Sequence, residues 1–188
     1  MIFYHVSDKG IVGSSRTAGF LNTKRLISPF VLSCCASEDA FIGTVMGARY
    51  ADERLQAIKS TVGSLHNKMA TEGIFDYVRS ARFSAKTPRY EANFLFANIK
   101  DAKMFIEEFQ KEKTIYEVEL DEKMVERYDM NLFTMASKVV TNIHDKENKH
   151  FDQAKNLAVQ YWQGLTSEAP IYEYLTKESI YLWKEVLV

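Results

Sequence analysis

Apolar residues recur along this chain at two periods, and the switch between them divides it. Ile2-Phe3-Tyr4-His5-Val6 is a run of apolar and β-forming residues, and Lys9 to Gly19 is rich in Gly, Ser and Thr. The pair predicts a strand over 2–6 and a loop after it. A short apolar run, Phe30-Val31-Leu32, follows Pro29. Ser37-Glu38-Asp39 then has the look of a helix start, with a Ser cap and acids in the first turn. Leu55, Ile58, Val62, Leu65 and Met69 recur at steps of three and four, so the pattern is helical to about residue 80. Gly63 and Gly73 are expected to divide this stretch into two or three helices.

Strands dominate the second half. Asn93 to Ala97 reads as a buried strand, and Ala102, Phe105, Ile106 and Phe109 form the apolar stripe of a short helix. Thr114 to Leu120 alternates, with Tyr116, Val118 and Leu120 on one face and Ile115, Glu117 and Glu119 on the other. Phe151, Ala154, Leu157, Ala158 and Tyr161 give another amphipathic helix, which Gly164 should close. Strand-like runs over 171–176 and 180–188 follow, separated by a Lys177-Glu178-Ser179 turn. The fold class is therefore α+β, with short, mostly antiparallel strands from both chain ends meeting in one core, not a doubly wound parallel sheet.

The 188 residues suit one domain spanning 1–188, with 37–80 as a helical insertion within it. Lys and Arg number 24 against 25 Asp and Glu. That balance excludes a bulk electrostatic grip on nucleic acid. No apolar run is long enough to span a membrane, and the first residues lack the cationic region of a secretory signal, so a cytoplasmic protein without a membrane partner is expected. The two cysteines, Cys34 and Cys35, are adjacent, which suits reduced thiols better than a disulfide framework or a zinc site. His66, His144 and His150 show no metal-ligand spacing, and no metal is expected. The common nucleotide, protease, hydrolase and redox signatures are absent. Nothing in the pattern sets an oligomeric state.

Two ends of the chain carry something more specific. Ile2-Phe3-Tyr4-His5-Val6-Ser7 resembles the first strand of ADP-ribosyltransferase-like proteins, especially the branch that modifies DNA and the RNA 2′-phosphotransferase branch. Arg79, Phe83, Pro88-Arg89, Asn93-Phe94 and Asp101-Ala102 resemble, in order, the pattern of an uncharacterised bacterial and phage family with the same predicted fold. Ile115 to Val118, Ala158-Val159-Gln160-Tyr161-Trp162-Gln163-Gly164 and Ile171 to Leu175 continue it, while 35–75 have no counterpart. The resemblance implies an ADP-ribosyltransferase-like fold, with short strands around a cleft that takes NAD as substrate.

Cleavage of the nicotinamide–ribose bond passes through an oxocarbenium-like state, as glycoside hydrolysis does. It calls for a carboxylate near the ribose, a hydrogen-bond donor to the ribose, and a flat wall for nicotinamide. The resemblance puts His5 on the ribose and Ser7 near the carboxamide; otherwise His5 is a strand histidine bonded to backbone. Glu173, a lone carboxylate between Tyr172 and Tyr174, is either the catalytic acid the resemblance implies or a solvent-facing residue of an edge strand. Glu178, farther along in the turn, is the weaker choice. Arg89, after Pro88, can pair with a pyrophosphate or be an ordinary surface arginine, and Arg16 in the first loop is a second phosphate candidate. Asn93 belongs to the same binding set, Tyr90 is the nearest stacking aromatic, and Trp162 is a core, lid or ligand-wall residue. Glu117 and Glu119 suit a solvated strand face. Arginine-modifying enzymes of this fold carry a paired-acid pattern, which is absent near Glu173, so arginine is not the expected acceptor.

The expected activity is that of an NAD-dependent mono-ADP-ribosyltransferase-like enzyme acting on a protein or nucleic-acid target. A nucleic-acid enzyme that cleaves a nucleotide's glycosidic bond on the same scaffold, and a catalytically inactive phage or mobile-element interaction protein, are the alternatives.

Overall fold

The computed structural model describes residues 1–18, 61–109, 113–141 and 149–186. The expected features at Phe30–Leu32, Cys34-Cys35, Ser37–Asp39, Leu55 and Ile58 lie outside them. The described chain is α+β. Its elements are β1 (Ile2–Asp8), β2 (Ser14–Arg16), α1 (Thr61–Arg82), β3 (Asn93–Leu95), α2 (Ile99–Phe109), β4 (Lys113–Glu119), β5 (Glu126–Asp129), α3 (Met130–Thr141), α4 (Lys149–Trp162), β6 (Tyr172–Thr176), β7 (Ile180–Leu182) and β8 (Lys184–Val186), with a 3-10 turn at Arg89–Glu91 before β3.

All pairings are antiparallel. One sheet has the order β1-β4-β8, a second β3-β6-β5, and β2 pairs with β7 as a two-stranded ribbon. The first two sheets meet at a single bridge, where Tyr4 and Phe96 exchange both backbone bonds at 2.8 Å. The C-terminal run expected as one strand is two, because Trp183 separates a partner of β2 from a partner of β4.

Alternation along β6 divides the molecule into layers. Leu175 faces the helices and packs with Ile74, Phe75, Leu132, Ala158 and Trp162. Tyr174 leaves the other face and packs with Phe3, Leu95, Tyr116 and Leu182; its ring centroid lies 5.3 Å from that of Phe3. A third cluster, built on Phe96, Ala102, Ile106 and Ile115, seats α2 against the β1–β4 sheet.

One expectation is corrected here. α1 runs unbroken through Gly63 and Gly73. A glycine in a helix interior costs about 1 kcal/mol relative to alanine, which burying Ile74, Phe75 and Val78 readily outweighs. The part of α1 from residue 71 is thus built into the main core. Of the expected insertion, 37–60 lies outside the described residues. Gly164 does close α4, at φ +75°, with the Leu165 N–H bonded to the Gln160 carbonyl. None of the described helices is long and apolar enough to cross a membrane.

Candidate functional site

The polar residues singled out above fall into two groups, one on each face of the β3-β6-β5 sheet.

The first gathers at the junction of the sheets. His5 shares its face of β1 with Phe3 and Ser7, toward the cluster that holds Tyr174. Its Nδ1 lies 2.9 Å from the carbonyl oxygen of Phe94. A carbonyl only accepts, so Nδ1 carries the proton. Burial pulls the imidazole below its ordinary pKa of 6.5; the bond to Phe94 opposes this, and the charge of Arg16 adds to it. His5 is therefore neutral near pH 7 and presents Nε2 as an acceptor. This corrects the expected role of the imidazole as a donor to ribose. Arg16, brought in by the β2–β7 ribbon, donates from one terminal nitrogen to Ser7 Oγ at 3.1 Å and stands 3.8 Å from Asp8. Its Nε is buried without a hydrogen-bond partner among the described residues. Asn93, 8% exposed, donates from Nδ2 to the carbonyls of Arg16 at 3.3 Å and Glu178 at 2.9 Å.

His5 makes the fold sensitive to acid in a defined window. The unfolded chain binds a proton at His5 near pH 6.5 while the folded chain resists it, so stability present above that pH is lost as pH falls through and below it. Wild type is expected to melt at a lower temperature at pH 5.5 than at 7.5, and His5→Gln should lose clearly less over the same interval. Equal losses would contradict a neutral, buried imidazole.

The second group lies among the helices. Glu173 is 1% exposed on β6, the central strand of its sheet, so it is not the solvent-facing residue of an edge strand. Arg89, 6% exposed, pairs with it through Nη1, and the same nitrogen donates to the Tyr161 hydroxyl at 2.7 Å. The hydroxyl donates in turn to Glu173 at 2.8 Å. Glu72, from α1, accepts from Arg89 Nε through both oxygens at 3.1 Å. The guanidinium also lies 4.2 Å from the ring centre of Phe133 and 5.0 Å from that of Phe94. Burial opposes the charged form of Arg89, but Glu173 and Glu72 outweigh it and hold the pKa well above its usual value. Two carboxylates share one cation, and burial, relieved only in part by Arg89, raises the pKa of Glu72.

Arg89 is therefore a core residue, not a surface arginine, and its Nε and Nη1 are committed to internal partners. Glu173 and Leu175 leave β6 on the helix side, whereas His5 and Tyr174 lie on the other, so one cleft shared by His5 and Glu173 is not formed. Trp162 is core, donating Nε1–H to the Phe75 carbonyl at 2.8 Å. Tyr90 is half-buried in the turn beside Arg89. Glu117 faces Lys184 at 2.9 Å. Of the expected binding set, His5, Ser7, Arg16 and Asn93 lie together at the junction, while Arg89 and Trp162 lie in the helix-side core. Glu72 was missed because a glutamate in an amphipathic helix looks like any solvated one, and its partner lies 17 positions away.

Among the comparisons, no curated protein matches the chain. The family described as Protein of unknown function (DUF2441) matches over residues 32–187, which include Asn93, Arg89, Glu173 and Glu178. That match spans well over half of the sequence, and the chain belongs to the DUF2441 family.

Proposed function

We propose that this protein is an NAD-consuming, ADP-ribosyltransferase-like enzyme that binds NAD where the two sheets meet and transfers ADP-ribose to a protein or nucleic-acid acceptor. The observation that carries the reading is the convergence of His5, Ser7, Arg16 and Asn93 from three separate elements on one side of the Tyr4–Phe96 bridge. The donor set fits the substrate. Arg16 Nε is a buried donor without an acceptor among the described residues, and a pyrophosphate oxygen would supply one. His5 Nε2 would accept from a ribose hydroxyl, with the ring fixed by its bond to Phe94. A neutral imidazole also suits a ribose that becomes positive, because a cation there would oppose the charge.

Titration calorimetry with NAD tests this. Wild type should bind, and Arg16→Ala should weaken binding by about ten- to a hundredfold, the worth of a hydrogen bond to a charged group. The same substitution should matter little for nicotinamide riboside, which has no pyrophosphate. Absence of NAD binding, or equal affinity of wild type and Arg16→Ala, would overturn the reading.

A further inference from the structure

We infer that Tyr116 is a positioning residue, whose buried hydroxyl fixes the β1–β2 loop and so holds Arg16 ready for an anion; this deepens, and rests on, the NAD reading of the junction. Tyr116 stands opposite His5 across the β1–β4 ladder, and its side chain is wholly buried beside Phe3 and Val118. Apolar packing accounts for the ring alone. The hydroxyl bonds twice to the loop, donating to the Asp8 carbonyl at 2.8 Å and accepting from the Ile11 N–H at 3.2 Å. It thereby bridges Lys9 and Gly10, where the chain turns with Gly10 at φ +76°.

The rest of the loop is built on Ile11. Its carbonyl accepts from Ser14 Oγ at 2.6 Å and from the Ser14 N–H at 3.2 Å, and the Gly13 N–H donates to the Leu182 carbonyl at 2.7 Å. Both backbone groups of Ile11 are thus tied, one to β4 through Tyr116 and the other to β2. Arg16 follows two residues after Ser14, and its guanidinium rests on Ser7 Oγ and faces the Asp8 carboxylate. Those two partners sit at the strand end that the phenol grips, while Arg16 Nε has no partner among the described residues.

A loop with two glycines at positive φ, Gly10 and Gly13, has many conformations open to it unless contacts select one. A group ordered before its ligand arrives loses little freedom on binding, so the tether raises affinity without touching the ligand. Phenylalanine at 116 would keep the ring packing and release both bonds. The ligand would then have to order the loop and Arg16 itself.

The experiment measures NAD affinity by calorimetry for wild type, Tyr116→Phe, Ser14→Ala, Arg16→Ala and the double variant Tyr116→Phe/Arg16→Ala, together with hydrogen exchange at the Ile11 amide. Tyr116→Phe should weaken NAD binding about tenfold, the worth of one or two lost hydrogen bonds, and should speed exchange at Ile11. Ser14→Ala releases Ile11 from the other side without altering the buried ring, and it should weaken binding by less. Because Tyr116 acts through Arg16, the double variant should bind NAD no more weakly than Arg16→Ala alone, whereas independent effects would add. That coupling separates positioning from a general loss of structure. Equal NAD affinity of wild type and either loop variant, or additive losses in the double variant, would overturn the role of Tyr116 and leave the site standing. No NAD binding by wild type would overturn both.

Discussion

Arg89→Met should be the most damaging single change in the described core. The guanidinium is the countercharge of two carboxylates, Glu173 and Glu72, and it also donates to Tyr161. Methionine fills much of the same space between Phe94 and Phe133 but leaves both acids without a cation. Breaking a buried pair by removing one partner costs about 3–5 kcal/mol. Against a total stability of roughly 5–15 kcal/mol, that brings the chain close to unfolding at ordinary temperature. At roughly 2–4 °C per kcal/mol for a chain of this size, the melting temperature should fall by about 10 °C or more. Arg89→Lys should recover only part of the loss, since a single ammonium cannot span Glu72, Tyr161 and Glu173 with planar geometry. Glu72→Gln should cost far less, because it removes the surplus negative charge and keeps an acceptor for Nε. A melting temperature for Arg89→Met within 2 °C of wild type, by circular dichroism, would refute this account of the core, taking about 2–4 °C per kcal/mol as the scale.

Asp129→Asn comes second. Asp129 is 1% exposed at the junction of β5 and α3. One carboxylate oxygen accepts from the N–H of Asn131 at 2.9 Å and of Ile171 at 3.1 Å, and the other from the N–H of Ser167 at 2.7 Å. The side chain thus caps α3 and fastens the loop leading into β6. Asparagine keeps one accepting oxygen but turns an NH2 toward a backbone donor, so at least one bond becomes a donor–donor contact. Lost bonds to a charged acceptor and a buried donor left unmatched together cost about 2–4 kcal/mol. With a urea dependence of about 2 kcal/mol/M, the unfolding midpoint should drop by roughly 1 M or more. The Ser167 and Ile171 amides should exchange faster as well. An unchanged midpoint at unchanged slope would show that the three bonds do not hold this loop.

What could be read from the residue pattern depends on how local the cause is. β4 alternates because its two faces meet different clusters, and α2 and α4 carry unbroken apolar stripes, so these elements were legible. Glu126 to Asp129 is mostly polar and forms β5 only because β6 lies alongside, a cause outside its own sequence. The stripe of Leu132, Ala136 and Val140 does announce α3 and was available to be found. The site divides the same way. His5, Ser7, Arg16 and Asn93 were gathered into one set with Arg89, Tyr90 and Trp162, because the face of β6 toward which Arg89 turns follows from Glu173, a partner 84 positions away. A carboxylate between two tyrosines looked unpaired because Arg89 was not visible from there.

The pairing of early strands with late ones also sets the order in which a growing chain can assemble the site. Ser7 lies opposite Thr114, and Arg16 lies opposite Ile180. At about 5–20 residues per second of synthesis, β1 therefore waits on the order of ten seconds for β4, and β2 waits longer for β7. During that interval Phe3 and Val6 belong to an apolar strand without its β4 partner, the kind of edge that aggregates or is held by a chaperone. The junction at His5 and Arg16 is thus complete only once β7 has been made.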